Sequence, residues 1–137
     1  GGRFEILSKV KFEYQFEKYL LLDNKLRKMI TSLRLYTHNL PIENLCKKKV
    51  ERKDRSCNCC NSGEIGSEFH VLMACQCEDL KQERNSLNNK LSQLCSQWPS
   101  LSNKDKFQYL LCAHDPQFNF YFAIFLEKVF KFVGSKN

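Results

Sequence analysis

The stretch "RSCNCCNSGEIGSEFHVLMAC", residues 55 to 75, constrains this chain more than any other. It places Cys57, Cys59 and Cys60 within four positions, then His70 and Cys75. Taking Cys57, Cys60, His70 and Cys75 gives C-x2-C-x9-H-x4-C, two ligand pairs joined by a short loop. A C-x2-C turn lets two thiolates converge on one ion, and a second pair at the ends of a helical turn completes a tetrahedron. Asn61, Ser62, Gly63 and Gly66 allow the loop between the pairs to bend. Four protein ligands leave no open coordination position, so one structural zinc is expected, with its binding energy serving as folding energy.

Other readings of the same residues are open. C-x-C pairs at Cys57/Cys59 and Cys75/Cys77 offer an all-sulfur site. A lone His70 beside Phe69 and Leu72 would be an ordinary interior histidine. A nucleophilic cysteine–histidine pair lacks, in sequence, a group to orient the base or an oxyanion hole, and His38 and His114 have no nearby acid. Cys46, Cys95 and Cys112 stand alone and are expected to pack as small apolar side chains. Eight cysteines without a secretion signal favour a reducing compartment, hence an intracellular protein, nuclear or cytoplasmic.

Apolar periodicity organises the rest. Phe12, Phe16, Tyr19, Leu20, Leu26, Met29, Ile30 and Leu33 recur at helical spacing, as one long helix or two broken near Asp23-Asn24. The pattern should stop before Pro41, whose predecessor is pushed out of helical geometry. Residues 39–56 then read as a solvated connector carrying "KKKVERKDR", residues 47–55, with six basic and two acidic side chains. Leu80, Leu87, Leu91, Leu94 and Trp98 mark a helix over about 78–97. Ser102 and Asp105 resemble a capping box opening a short helix with Phe107, Leu110 and Leu111 inward. Asp115-Pro116 starts a last helix bearing Phe118, Tyr121, Phe122, Phe125, Val129 and Phe132 on one face, with Gly134 expected to end it.

The expected fold is mainly α, built around a zinc knuckle with little or no β structure. Its parts are a helical segment (1–38), the basic connector (39–56), the knuckle (57–77) and the C-terminal helices (78–137), all in one compact domain suited to 137 residues. The apolar run from Phe118 to Leu126 falls well short of the ~20 residues a spanning helix needs, so no membrane span is expected. The start, Gly1-Gly2-Arg3-Phe4-Glu5, has neither an initiator Met nor an apolar signal region, which fits a piece of a longer protein.

Two motifs together, "MITSLRLYTHNLPIE" (29–43) and "ERKDRSCNCCNSGEIGSEFHVLMAC" (51–75), resemble the C-terminal zinc-binding region of reverse transcriptases from non-long-terminal-repeat retrotransposons. The matching positions are Leu33-Arg34-Leu35, His38, Ile42-Glu43, Arg55, Cys57, Cys60, Glu64, Glu68, His70 and Cys75. The likeness continues in "DKFQYLLC" (105–112) and the terminal helix. It departs from the family at Asn44, Leu45 and Cys46, where members tend to carry glycine and arginine, and at the additional thiol Cys59. The resemblance implies a nucleic-acid-binding appendage of an RNA-directed DNA polymerase. The chain itself has no Asp-Asp pair with which to hold catalytic metals, so it is not expected to be an enzyme alone.

A net charge of +7 and a pI near 9.0 agree with a polyanionic partner, RNA or DNA. The residues expected to grip it are Lys47, Lys48, Lys49, Arg52, Lys53 and Arg55. The competing expectation is a protein-interaction or scaffolding domain whose aromatic helix, Phe118 to Phe132, docks on the polymerase body or another partner.

Overall fold

A computed structural model describes residues 24–112 and 115–136. Five α-helices carry this part of the chain: α1 (Asn24–Arg34), α2 (Pro41–Lys47), α3 (Glu78–Leu94), α4 (Asn103–Cys112) and α5 (Pro116–Lys136). Among the described residues the only β pairing is an isolated antiparallel bridge, Ser56 to Ile65. The fold is therefore mainly α, as the periodicity predicts. The apolar pattern from Phe12 to Leu20 and the break near Asp23 lie outside or at the edge of the described residues.

The terminal helix is the centre of the packing, with α1 and α3 against it. Its buried residues Phe118, Phe122, Ala123, Phe125, Leu126, Val129 and Val133 recur every three or four positions, the spacing that lines one face of a helix. Asp115 starts it as foreseen: its Oδ1 accepts the N–H groups of Gln117 (2.8 Å) and Phe118 (3.4 Å), satisfying donors that the first turn leaves orphaned. Gly134, expected to stop it, lies inside it instead, and the helix runs on to Lys136. Its bare Cα faces Asn39, where an added Cβ would come within 3.1 Å of the amide nitrogen. That amide donates to the Phe130 carbonyl (3.0 Å), so Gly134 serves a close approach and not a cap.

Helix α3 places Glu78 and Asp79 in its first turn, where the helix dipole favours negative charge, and buries Leu80, Leu87 and Leu91. The chain then turns at Trp98, which is 1% exposed and packs edge-on against Phe118 with ring centroids 5.7 Å apart. Its indole N–H donates to Asn88 Oδ1 (2.9 Å), which removes the penalty of burying that donor. Ser102 caps α4 by accepting the Asp105 N–H at 3.1 Å, the half of the expected capping box that is present.

The connector differs from expectation. Residues 39–56 contain α2 and a 3-10 turn, Arg52–Asp54, in place of an open loop. Pro41 occupies the first helical turn, where its missing N–H is harmless, and Leu40 before it is extended. Leu40, Pro41 and Ile42 are buried. The Ile42 N–H donates to the Gly66 carbonyl (3.0 Å), so α2 is anchored on the cysteine-rich segment rather than floating over it.

Candidate metal centre

The first ligand pair rides on a tight backbone clasp. The Cys57 N–H donates to Glu64 O and the Gly66 N–H to Arg55 O, each at 2.8 Å, closing the loop on either side of the Ser56–Ile65 bridge. Gly63 turns this loop at φ 77, a left-handed conformation that side chains disfavour. Gly66 has a different job. A Cβ there would sit 2.5 Å from Pro41 Cβ and 3.2 Å from Cys57 Cα, so only glycine lets Pro41 and the Cys57 backbone approach this closely.

The second pair is set by an unusual helical turn. In an α-helix, residues five apart point about 140° from one another. Here His70–Ala74 is π-helical, and the Cys75 N–H donates to the His70 carbonyl five residues back. This widening brings the ends of H-x4-C to the same side, an example of a π-turn placed at a site. Ser67 Oγ accepts the His70 N–H (3.2 Å) at the start of the turn.

The ligand atoms of Cys57, Cys60, His70 and Cys75 all lie within 4.8 Å of one another. Cys57 Sγ and Cys75 Sγ are 3.8 Å apart, and Cys60 Sγ is 3.4 Å from His70 Nε2. Two thiolates about 2.3 Å from a shared tetrahedral ion stand about 3.8 Å apart, and a thiolate and an imidazole nitrogen about 3.5 Å. The two separations match the edges of one tetrahedron, so these four residues can hold a metal ion. Cys57, His70 and Cys75 are buried and Cys60 half-buried. Every cysteine is free of disulfides.

Surrounding groups prepare the ligands. Glu64 Oε2 lies 3.0 Å from His70 Nδ1, without hydrogen-bond geometry, while Nε2 faces the Cys60 sulfur. The Cys59 N–H points at Cys57 Sγ (3.4 Å). Burial and the adjacent Cys57 sulfur push the Cys75 thiol well above its ordinary range, and burial with the Cys57 and Cys77 sulfurs takes Cys59 to about 12. Cys60 moves the other way: its slight burial opposes ionisation, yet the Ser62 hydroxyl and backbone N–H hold it at about 6. Crowded thiols of this kind ionise together only around a cation, which supplies the missing positive charge.

A second positive charge lies behind the π-turn. Arg84, on α3, donates from Nε to Leu72 O (2.9 Å) and from one terminal nitrogen to Cys75 O (3.0 Å) and Val71 O (3.4 Å). Burial draws its pKa down while the Cys75 and Cys77 sulfurs draw it up. The guanidinium thus caps the open carbonyls of the turn that carries His70 and Cys75.

Cys59 and Cys77, the sulfurs of the all-sulfur alternative, stand outside the convergent group, and Cys59 Sγ instead meets Asn58 Oδ1 at 3.3 Å. Cys95 and Cys112 pack against the core as expected, whereas Cys46 is exposed at the end of α2. For the nucleophile reading, an acidic side chain, Glu64, does lie near His70 Nδ1 at 3.0 Å, but no hydrogen bond joins them. The ligand atoms of Cys57 and Cys75 converge with those of Cys60 and His70, the grouping that suits a metal ion.

His38 proves to have an acid after all. Its Nε2 is 2.8 Å from Glu68 Oε2, its Nδ1 accepts the Leu40 N–H (3.2 Å), and its ring stacks on Phe130. An accepting Nδ1 requires the proton on Nε2, facing Glu68. Burial opposes ionisation of Glu68, but this contact outweighs it and lowers its pKa. The pair joins the segment after α1 to the segment that carries His70. His114 lies outside the described residues.

The basic side chains divide. Lys47, Lys48, Lys49, Arg52 and Lys53 are exposed. Lys53 meets Glu51 at 3.5 Å in a solvated pair of little energetic weight. Arg55 is half-buried, with Nε donating to Val50 O (2.9 Å) and Nη1 to Ile42 O (3.4 Å), which makes it a brace for α2 rather than a member of the exposed set.

Fold and site together define a mainly α protein with a cluster of three cysteines and one histidine that could hold a metal ion. Comparisons of the chain with protein-family models, curated proteins and solved structures give no match. Among the described residues no helix is long and apolar enough to cross a membrane.

Proposed function

We propose that this chain is a zinc-stabilised nucleic-acid-binding module, resembling the C-terminal region of non-long-terminal-repeat retrotransposon reverse transcriptases, that engages template RNA or target DNA and performs no catalysis itself. Tetrahedral sulfur-and-imidazole coordination suits zinc among the common ions, and four protein ligands make it structural. The observation that carries the binding role is the crowding of five exposed cations, Lys47, Lys48, Lys49, Arg52 and Lys53, into seven positions beside the metal centre. Their segment is tethered to the knuckle through Ile42, Gly66 and Arg55, so the zinc would hold a charged surface in place.

Phosphate contacts of this kind release counterions. About four of them give a slope of log affinity against log salt of roughly −2.8 on single strands and −3.6 on duplex DNA. Binding of labelled RNA and DNA across a salt series tests the reading, with Lys47, Lys48 and Lys49 replaced together by Ala expected to flatten the slope. Unchanged affinity and slope in that variant would remove the basic segment from the account.

The scaffolding alternative receives less support. Within the segment it would dock, Phe118 to Phe132, the residues Phe118, Phe122, Phe125 and Val129 are at most 4% exposed and packed within this chain, while Phe120 is 40% exposed and Tyr121, Phe130 and Phe132 are half-buried.

A further inference from the structure

Helices α1 and α2 end in the same way. After α1 the Tyr36 N–H donates to Leu33 O (3.4 Å) and the Thr37 N–H to Ser32 O (2.9 Å). After α2 the Lys49 N–H donates to Cys46 O (2.9 Å) and the Val50 N–H to Leu45 O (3.0 Å). This double closure, reaching back three and five residues, passes through one residue in the left-handed region, where glycine is usual and asparagine the common substitute. Here the two places hold Tyr36 at φ 58 and Lys49 at φ 61, the non-glycine positive-φ residues of the described chain.

A Cβ in that region is strained, and a large side chain there normally earns its place by packing. Neither does so. Tyr36 is 50% exposed, its neighbour Leu35 is 63% exposed, and Lys49 is open to solvent. Strain kept at exposed positions points to what the side chains do outward.

An aromatic ring and an ammonium group are the two chemistries that hold unpaired nucleotides: the ring stacks on a base and the cation meets a phosphate. In a duplex the base faces are already covered by their neighbours, so a surface ring finds a stacking partner only in a single strand. We infer that Tyr36 and Lys49 are contact points for single-stranded nucleic acid, Tyr36 stacking on a base and Lys49 meeting the backbone. The inference rests on the polynucleotide reading above and specifies its substrate.

Fluorescence anisotropy with a short labelled single strand and the matching duplex, alongside thermal melting, tests it. Tyr36→Gly should weaken single-strand binding about 5-fold or more, as loss of one stacked base implies. The same variant should leave duplex affinity unchanged and melt no lower than the parent, because glycine relieves the backbone. Tyr36→Phe should bind as the parent does, and Lys49→Gly should reduce the salt slope by about one. Unchanged single-strand affinity in Tyr36→Gly overturns the inference. So does a variant that melts lower and loses both forms equally, which would make Tyr36 a structural residue. Weakened binding in Lys47→Ala/Lys48→Ala with no effect of Tyr36→Gly would leave the broader reading standing and refute this one. A parent chain that binds no polynucleotide would refute both.

Discussion

Gly66 and Gly63 lie three positions apart in one loop, yet they carry different physical loads. Alanine at Gly66 drives a methyl group into Pro41 and the Cys57 backbone, a clash between fixed atoms. We expect a loss of about 2–3 kcal/mol, read as a lowered denaturation midpoint. Alanine at Gly63 meets nothing within 4 Å and suffers only the left-handed backbone, about 1–2 kcal/mol. Equal losses at the two sites would contradict this division. Arg84→Met keeps the stem but removes charged donors from three carbonyls, which should destabilise the fold by about 2–3 kcal/mol and weaken metal retention against a chelator. Retention equal to the parent's would show that the π-turn holds its shape without the guanidinium.

Among the elements, those read from local spacing were legible and those set by distant approach were not. The helix over about 78–97 appears as Glu78–Leu94, and Asp115 and Ser102 cap the helices they were expected to start. The first helical pattern does stop before Pro41, α1 ending at Arg34, but proline also suits a first helical turn, and the spacing gives no sign that α2 starts there. Gly134 misleads, since a glycine near a helix end signals a cap only when nothing else needs the space. At the site, the four ligands follow from spacing within 19 consecutive residues, Cys57 to Cys75. Arg84 meets the π-turn from 9 to 13 positions away and His38 meets Glu68 across 30, pairings that only the packed chain reveals. The knuckle and the helical core also differ in what sustains them. Chelation should open the loop clasp first, so amide exchange at Cys57 and Gly66 should rise while far-UV helix signal, carried mainly by α3 and α5, is largely kept. Simultaneous loss of both would mean that the metal holds the whole fold.

At the scale of the molecule, the aromatic helix lies at the heart of the core, α1 and α3 pack against it, and the cysteine-rich loop anchors α2 through the Ile42 N–H to Gly66 O hydrogen bond. Five exposed cations, Lys47, Lys48, Lys49, Arg52 and Lys53, gather at the end of α2 and in the turn after it. In the proposed reading, a metal held by Cys57, Cys60, His70 and Cys75 would keep α2 and the basic segment after it anchored. The measurement that tests it most directly is zinc per chain, by native mass spectrometry of protein purified under reducing conditions, for the parent and for Cys60→Ser and His70→Ala. The account predicts about one zinc in the parent and its loss in both variants; a folded, metal-free parent chain would contradict it.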